Sequence, residues 1–166
     1  MTTGTPTTQV RRPTGMAVVQ RALAATTAVL LAIDAFVHFH DADLYDTVTT
    51  ATLSQGTLFR AQATAAAVVV IALLIRPHPA VWAIAALVAA SAATAVLLYT
   101  YIDVGALGPL PNMYEPTWAL PGKRASAVAE TAAALLAGTG LVLSLRIGRG
   151  PSTSPDDLPI LPSGRR

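Results

Sequence analysis

The chain has 166 residues, a hydrophobic fraction of 53%, a charged fraction of 12% and a mean hydropathy of +0.54. Soluble domains average roughly 25% charged residues, so this is the composition of a one-domain integral membrane protein. The net charge of +2 resides in tails and short loops rather than on a face with interleaved aromatics, which argues against nucleic acid as a partner. The absence of cysteine excludes disulfides, thiolate metal centres, attached c-type haem and thiol redox chemistry.

In chain order, residues 1–15 are Thr-rich, carry Pro6 and Pro13 and lack an apolar period; they are predicted to form a disordered cytoplasmic tail. Arg11, Arg12 and Arg21 flank the next run, Ala22 to Phe39. It is longer than a signal-peptide core and no small-residue cleavage site follows, so it reads as an uncleaved anchor. Four apolar segments, about 16–39, 58–76, 80–102 and 125–146, each approach the ~20 residues that cross ~30 Å of hydrocarbon. No alternating barrel pattern appears, and backbone groups in lipid must be satisfied within each segment, so all four are predicted helices. They make one transmembrane domain over 16–147.

Arg76-Pro77-His78-Pro79 is so short a link that helices two and three must be antiparallel neighbours, one proline ending a helix and the other starting the next. His78 there reads as a solvated loop residue. The loop from Asp103 to Arg124 holds Pro109, Pro111, Pro116 and Pro121, with Tyr114 and Trp118 suited to an interface. Residues 148–166, rich in Gly, Pro and Ser, are predicted to be a second disordered cytoplasmic tail.

Basic residues set the orientation. With a cytoplasmic N-terminus, Arg11, Arg12, Arg21, Arg76, Arg146, Arg149, Arg165 and Arg166 lie inside, against Arg60, Lys123 and Arg124 outside. The expectation is an all-α, up-down-up-down, N-in/C-in bundle in the cell's inner (plasma) membrane. Trp82 at the inner end of helix three, with Tyr99 and Tyr101 at its outer end, agrees with interfacial aromatic belts.

In that frame Asp34, Asp41, Asp43, Asp46, Asp103, Glu115 and Glu130 all fall in the outer half. Asp34 lies about six residues below the outer end of helix one, roughly 9 Å deep. It shares a helical stripe with Thr27, Leu30, His38 and Asp41. An ionised side chain in hydrocarbon costs at least ~2.5–3.5 kcal/mol near the bilayer centre, so Asp34 and Glu130 need partners. The expected cluster is Asp34, His38, Arg60, Tyr99, Asp103 and Glu130, with an Arg60–Glu130 or Arg60–Asp34 ion pair. Three roles suit it. It can bind a small ligand or a quinone, handle a metal or protons through Asp34, His38 and Glu130, or simply lock the bundle. His40 is about 200° around the helix from His38 and cannot join it. Glu115 reads as a surface acid or as a lid over the cluster.

No motif implies a cofactor, a nucleophile–base pair or a phosphate loop, so no enzymatic activity is assigned. Small residues at helical spacing, Ala86/Ala90/Ala93 and Ala134/Gly138/Val142, are expected to mediate close helix packing. A face of that kind could also serve a homodimer or a membrane partner subunit.

The four-span plan, the charged end of helix one (Asp34 to Asp41) and Tyr114-Glu115-Pro116 ahead of an acid-bearing fourth helix resemble small bacterial four-helix membrane proteins of the DoxX-like kind. The resemblance covers roughly Val18 to Leu145. Some members of that family are linked to quinone-coupled sulfur or oxidative-stress chemistry. No functional residue of the family matches a position here, so the resemblance implies the architecture and no activity.

Overall fold

The computed structural model describes residues 15–147. Apart from Gly15, the two expected tails lie outside the described residues. The described chain forms α1 (Gly15–Asp41), α2 (Gln55–Ile75), α3 (Pro79–Tyr101) and α4 (Lys123–Ile147), with a short 3-10 turn, Ala42–Tyr45, continuing α1. All four helices are long and apolar enough to cross a membrane, and among the described residues there is no strand.

Local chemistry sets the ends. α2 starts three residues before the apolar run because Ser54 caps it: the Ser54 side chain accepts from the Thr57 N–H at 3.0 Å. It stops at Ile75 because Arg76, preceding Pro77, is extended (φ −155°, ψ 98°). His78 then caps α3 by accepting from the Ala80 N–H at 3.2 Å, with Pro79 as its first residue. α4 follows Gly122, whose φ is +80°. A Cβ there would also lie 2.8 Å from Val37 Cγ1 and 2.9 Å from Asp41 Oδ2, so this entry into α4 needs glycine on both counts.

α1 packs against α2 and α4, and α3 against α4 and α2, a closed ring of four helices. Its interior is built from small residues. Ala63, Ala66, Ala85, Ala89, Ala133 and Ala137 are buried, with Leu31, Leu73 and Trp82 as the bulky fillers. The larger apolar side chains, Phe36, Val68, Ile71, Leu87 and Leu135 among them, point outward. A water-soluble bundle would do the opposite. In lipid no hydrophobic gain separates inside from outside, so close backbone approach through alanine drives packing and the large side chains meet the acyl chains.

Two expectations change here. Of the predicted stripes, Ala93 is buried and Ala86 and Ala134 pack against the core, but Ala90 and Val142 are exposed and a Cβ on Gly138 would meet nothing within 4 Å. The most buried stripes are Ala85/Ala89/Ala92 and Ala133/Ala137/Gly140. Runs of alanine carry almost no periodicity, so sequence shows that a helix packs closely without showing through which face. Trp82 is not an interfacial aromatic. It is fully buried against Gly140.

Candidate functional site

α1 turns Asp34 into the bundle, fully buried, with His38 one turn on beside it. His38 Nδ1 lies 2.8 Å from Asp34 Oδ1 and 3.1 Å from the Asp34 carbonyl oxygen. Both are acceptors, so Nδ1 carries the hydrogen and Nε2 is left for whatever lies on the far side of the ring. On that side is Glu130 of α4, 1% exposed, with Oε1 3.9 Å from His38 Nε2. Ser126, one turn before Glu130, donates to Glu130 Oε1 and sits 3.4 Å from Asp34 Oδ1. Gln62 of α2 donates to Asp34 Oδ2 at 3.2 Å and leans toward the Val88 carbonyl of α3 at 3.4 Å. Glu130 Oε2 is buried and has no partner.

The cluster opens into a cavity of about 320 Å³. It is lined by the C-terminal turns of α1 and α3, the N-terminal turns of α2 and α4, and part of the 102–122 loop. The lining residues deepest along α2, α3 and α4 are Gln62, Ser91 and Glu130, all polar, while on α1 His38 sits one position above the deepest, Val37. Leu58, Phe59, Ala92, Val96, Met113 and Pro121 supply further apolar walls. The Pro-rich loop is fastened across the mouth through Glu115. Its N–H donates to the Tyr99 carbonyl at 2.8 Å, its carboxylate accepts from the Tyr45 hydroxyl at 2.9 Å, and its carbonyl accepts from Lys123 Nζ at 2.6 Å. Glu115 is therefore a clasp of the site rather than a free surface acid.

Of the six residues expected to cluster, the structure brings together Asp34, His38 and Glu130, and Tyr99 lines the cavity above them. Arg60 does not join. Its guanidinium binds Asp43 at 2.5 Å and Asp46 at 2.8 and 2.9 Å on the bundle surface. Gln62 faces Asp34, and a residue two positions earlier points about 200° away. Asp103 lies beyond α3, exposed, where it accepts from Asn112 and from the Gly105 N–H, each at 3.1 Å. His40 stacks on Phe36 outside the bundle, with ring centroids 5.7 Å apart. Gln62, Ser126, Tyr45 and Lys123 were not anticipated. Ser126 was open to discovery, four residues before Glu130 and so on the same face.

The Arg60 guanidinium, by hydrogen bonding to Asp46, holds that carboxyl below the usual range. A depressed carboxylate stabilises the fold above its unfolded value, near 3.9, and loses that contribution as pH falls through the folded value. Arg60→Gln is therefore expected to make the acid limb of the stability curve shallower below about pH 4. Unfolding midpoints across that limb check this; an unchanged slope removes Arg60 as the cause.

No protein-family model, curated protein or solved structure matches this chain.

Proposed function

We propose that the protein is a multi-pass protein of the plasma membrane, N-in/C-in with alternating helices, that binds a small amphipathic ligand at the outer, acid-bearing end of the bundle. A quinone headgroup is the chemistry that suits it best. The observation that carries this is the cavity: about 320 Å³, within the roughly 300–1,000 Å³ of ligand sites, apolar along its walls with a few convergent polar groups. Phe59, Ala92 and Val96 offer a flat ring apolar walls, and its carbonyl oxygens need donors. The Lys123 ammonium, which gives one of its three hydrogens to the Glu115 carbonyl, is the donor at hand. The orientation follows from the excess of arginine at the other end.

The test is ligand-induced stabilisation of the purified full chain in detergent by a short-chain ubiquinone analogue. Saturating ligand, at about 100 times Kd, stabilises a one-site protein by about 2.7 kcal/mol, and a rise in the unfolding midpoint on that scale is expected. Ala92→Leu, which pushes a larger side chain into the cavity, should abolish the rise. An unchanged wild-type midpoint, or an equal rise in the Ala92→Leu protein, refutes the reading.

A further inference from the structure

Asp34, His38 and Glu130 offer one ligand atom each, all within 4.8 Å of one another. Two carboxyl groups and one imidazole form a donor set for a borderline divalent cation such as Zn²⁺. Four features of the cluster bear on whether it is built for one.

The first is the tautomer. Asp34 takes the Nδ1 hydrogen of His38, which leaves the Nε2 lone pair directed at Glu130. A carboxylate behind the ring and a metal in front is the usual arrangement of a ligating histidine. The second is the gap. At 3.9 Å, Nε2 and Glu130 Oε1 are too far apart for a hydrogen bond. Ligands at about 2.0–2.2 Å from one Zn²⁺ ion stand roughly 3.3–3.6 Å apart when tetrahedral, so a small side-chain adjustment closes on an ion.

The third is Glu130 Oε2, buried in a residue 1% exposed and without a hydrogen-bond partner. A carboxylate oxygen left so is costly, and it is the one carboxylate oxygen among the orphaned buried atoms of the described residues. The fourth is charge. Two carboxyl groups and an imidazole buried together can carry up to −2 in a low-dielectric setting, which a divalent cation cancels. Arg60, the cation that sequence placed here, is committed to Asp43 and Asp46.

We infer that Asp34, His38 and Glu130 form a site for one Zn²⁺-type ion, His38 Nε2 and Glu130 binding it directly and Asp34 fixing the ring. His38 and Glu130 both line the cavity, which provides the entry path and leaves the ion's remaining positions to water. The site does not depend on an organic ligand in the cavity.

The test uses the purified full chain in detergent, stripped with a chelator and then given Zn²⁺ alone. One zinc per chain is expected after gel filtration. Glu130→Gln and His38→Gln should lose it, and Asp34→Asn should weaken binding by about 10–100-fold, the range for an orienting carboxylate. A second readout needs no variant. The chain has three histidines, and ¹⁵N-histidine spectra of the wild type should show zinc moving the Nε2 resonance of one ring only. Failure of wild type to hold zinc, zinc retained by both Gln variants, or no ring shifting overturns the site. Ala92→Leu separates the two proposals: it should abolish quinone binding while leaving the zinc stoichiometry at one.

Discussion

An Asp34→Leu protein is expected to lose about 3–5 kcal/mol of stability, the cost of removing one member of a buried polar pair. Leucine is branched at the same atom and is larger than aspartate, so the loss does not come from a hole. It comes from what is stranded. His38 Nδ1 and the Gln62 amide both turn to Asp34, and each would lose that partner inside the bundle. Asp34→Asn retains the shape and an oxygen acceptor, so its loss should be distinctly smaller. Adding His38→Leu to Asp34→Leu should cost less than the two single changes summed, because the second removes a group the first stranded. Unfolding of the wild type and these four variants in a denaturing detergent titration gives these values. Strict additivity, or an Asp34→Leu cost within about 1 kcal/mol of zero, would mean Asp34 does not hold the cluster together.

Gly140→Ala is expected to destabilise by about 1–3 kcal/mol although it adds one methyl to a helix. Helix propensity alone favours alanine over glycine by about 0.8–1.0 kcal/mol, so the sign of the result is diagnostic. A Cβ at 140 would lie 2.6 Å from Cδ2, Cε3 and Cζ3 of Trp82. That indole is fully buried and its aromatic plane cannot bend away. Trp82→Leu should remove the conflict, so Gly140→Ala in that background should be neutral or stabilising. A coupling within the 0.5–3 kcal/mol seen for contacting residues is expected. If Gly140→Ala stabilises the wild type, the Trp82 contact is looser than described.

The parts of this fold that were readable from sequence are those where lipid imposes a rule. Long apolar runs, prolines around residues 76–79 and the stripe through Thr27, Asp34 and Asp41 follow from span length, missing donors and helical period. Thr27, Asp34 and Asp41 are all buried, as that stripe requires. Pairings across loops were not readable. Arg60 was matched by depth to Asp34 and Glu130, but the 3-10 turn at Ala42–Tyr45 folds Asp43 and Asp46 back onto it. Depth is one coordinate; the angle around the helix decided the matter, and Gln62 already occupied the inward direction. Asp103 failed for a related reason, lying one residue past the extended Ile102 that ends α3. The faces of the alanine-rich helices were unreadable because alanine contrasts with nothing around it.

The contact between Trp82 and Gly140 has a consequence beyond stability. With Leu31, Leu73 and the surrounding alanines it packs the bundle beneath the cluster, and none of these residues lines the cavity, which lies toward the 102–122 loop. Under the proposed function, whatever occupies the cavity in this conformation exchanges with a single compartment. Occupancy then reports the free concentration on that side alone, and the proposed site stores, presents or senses its ligand. Carrying that ligand across would require the indole to swing out of its seat.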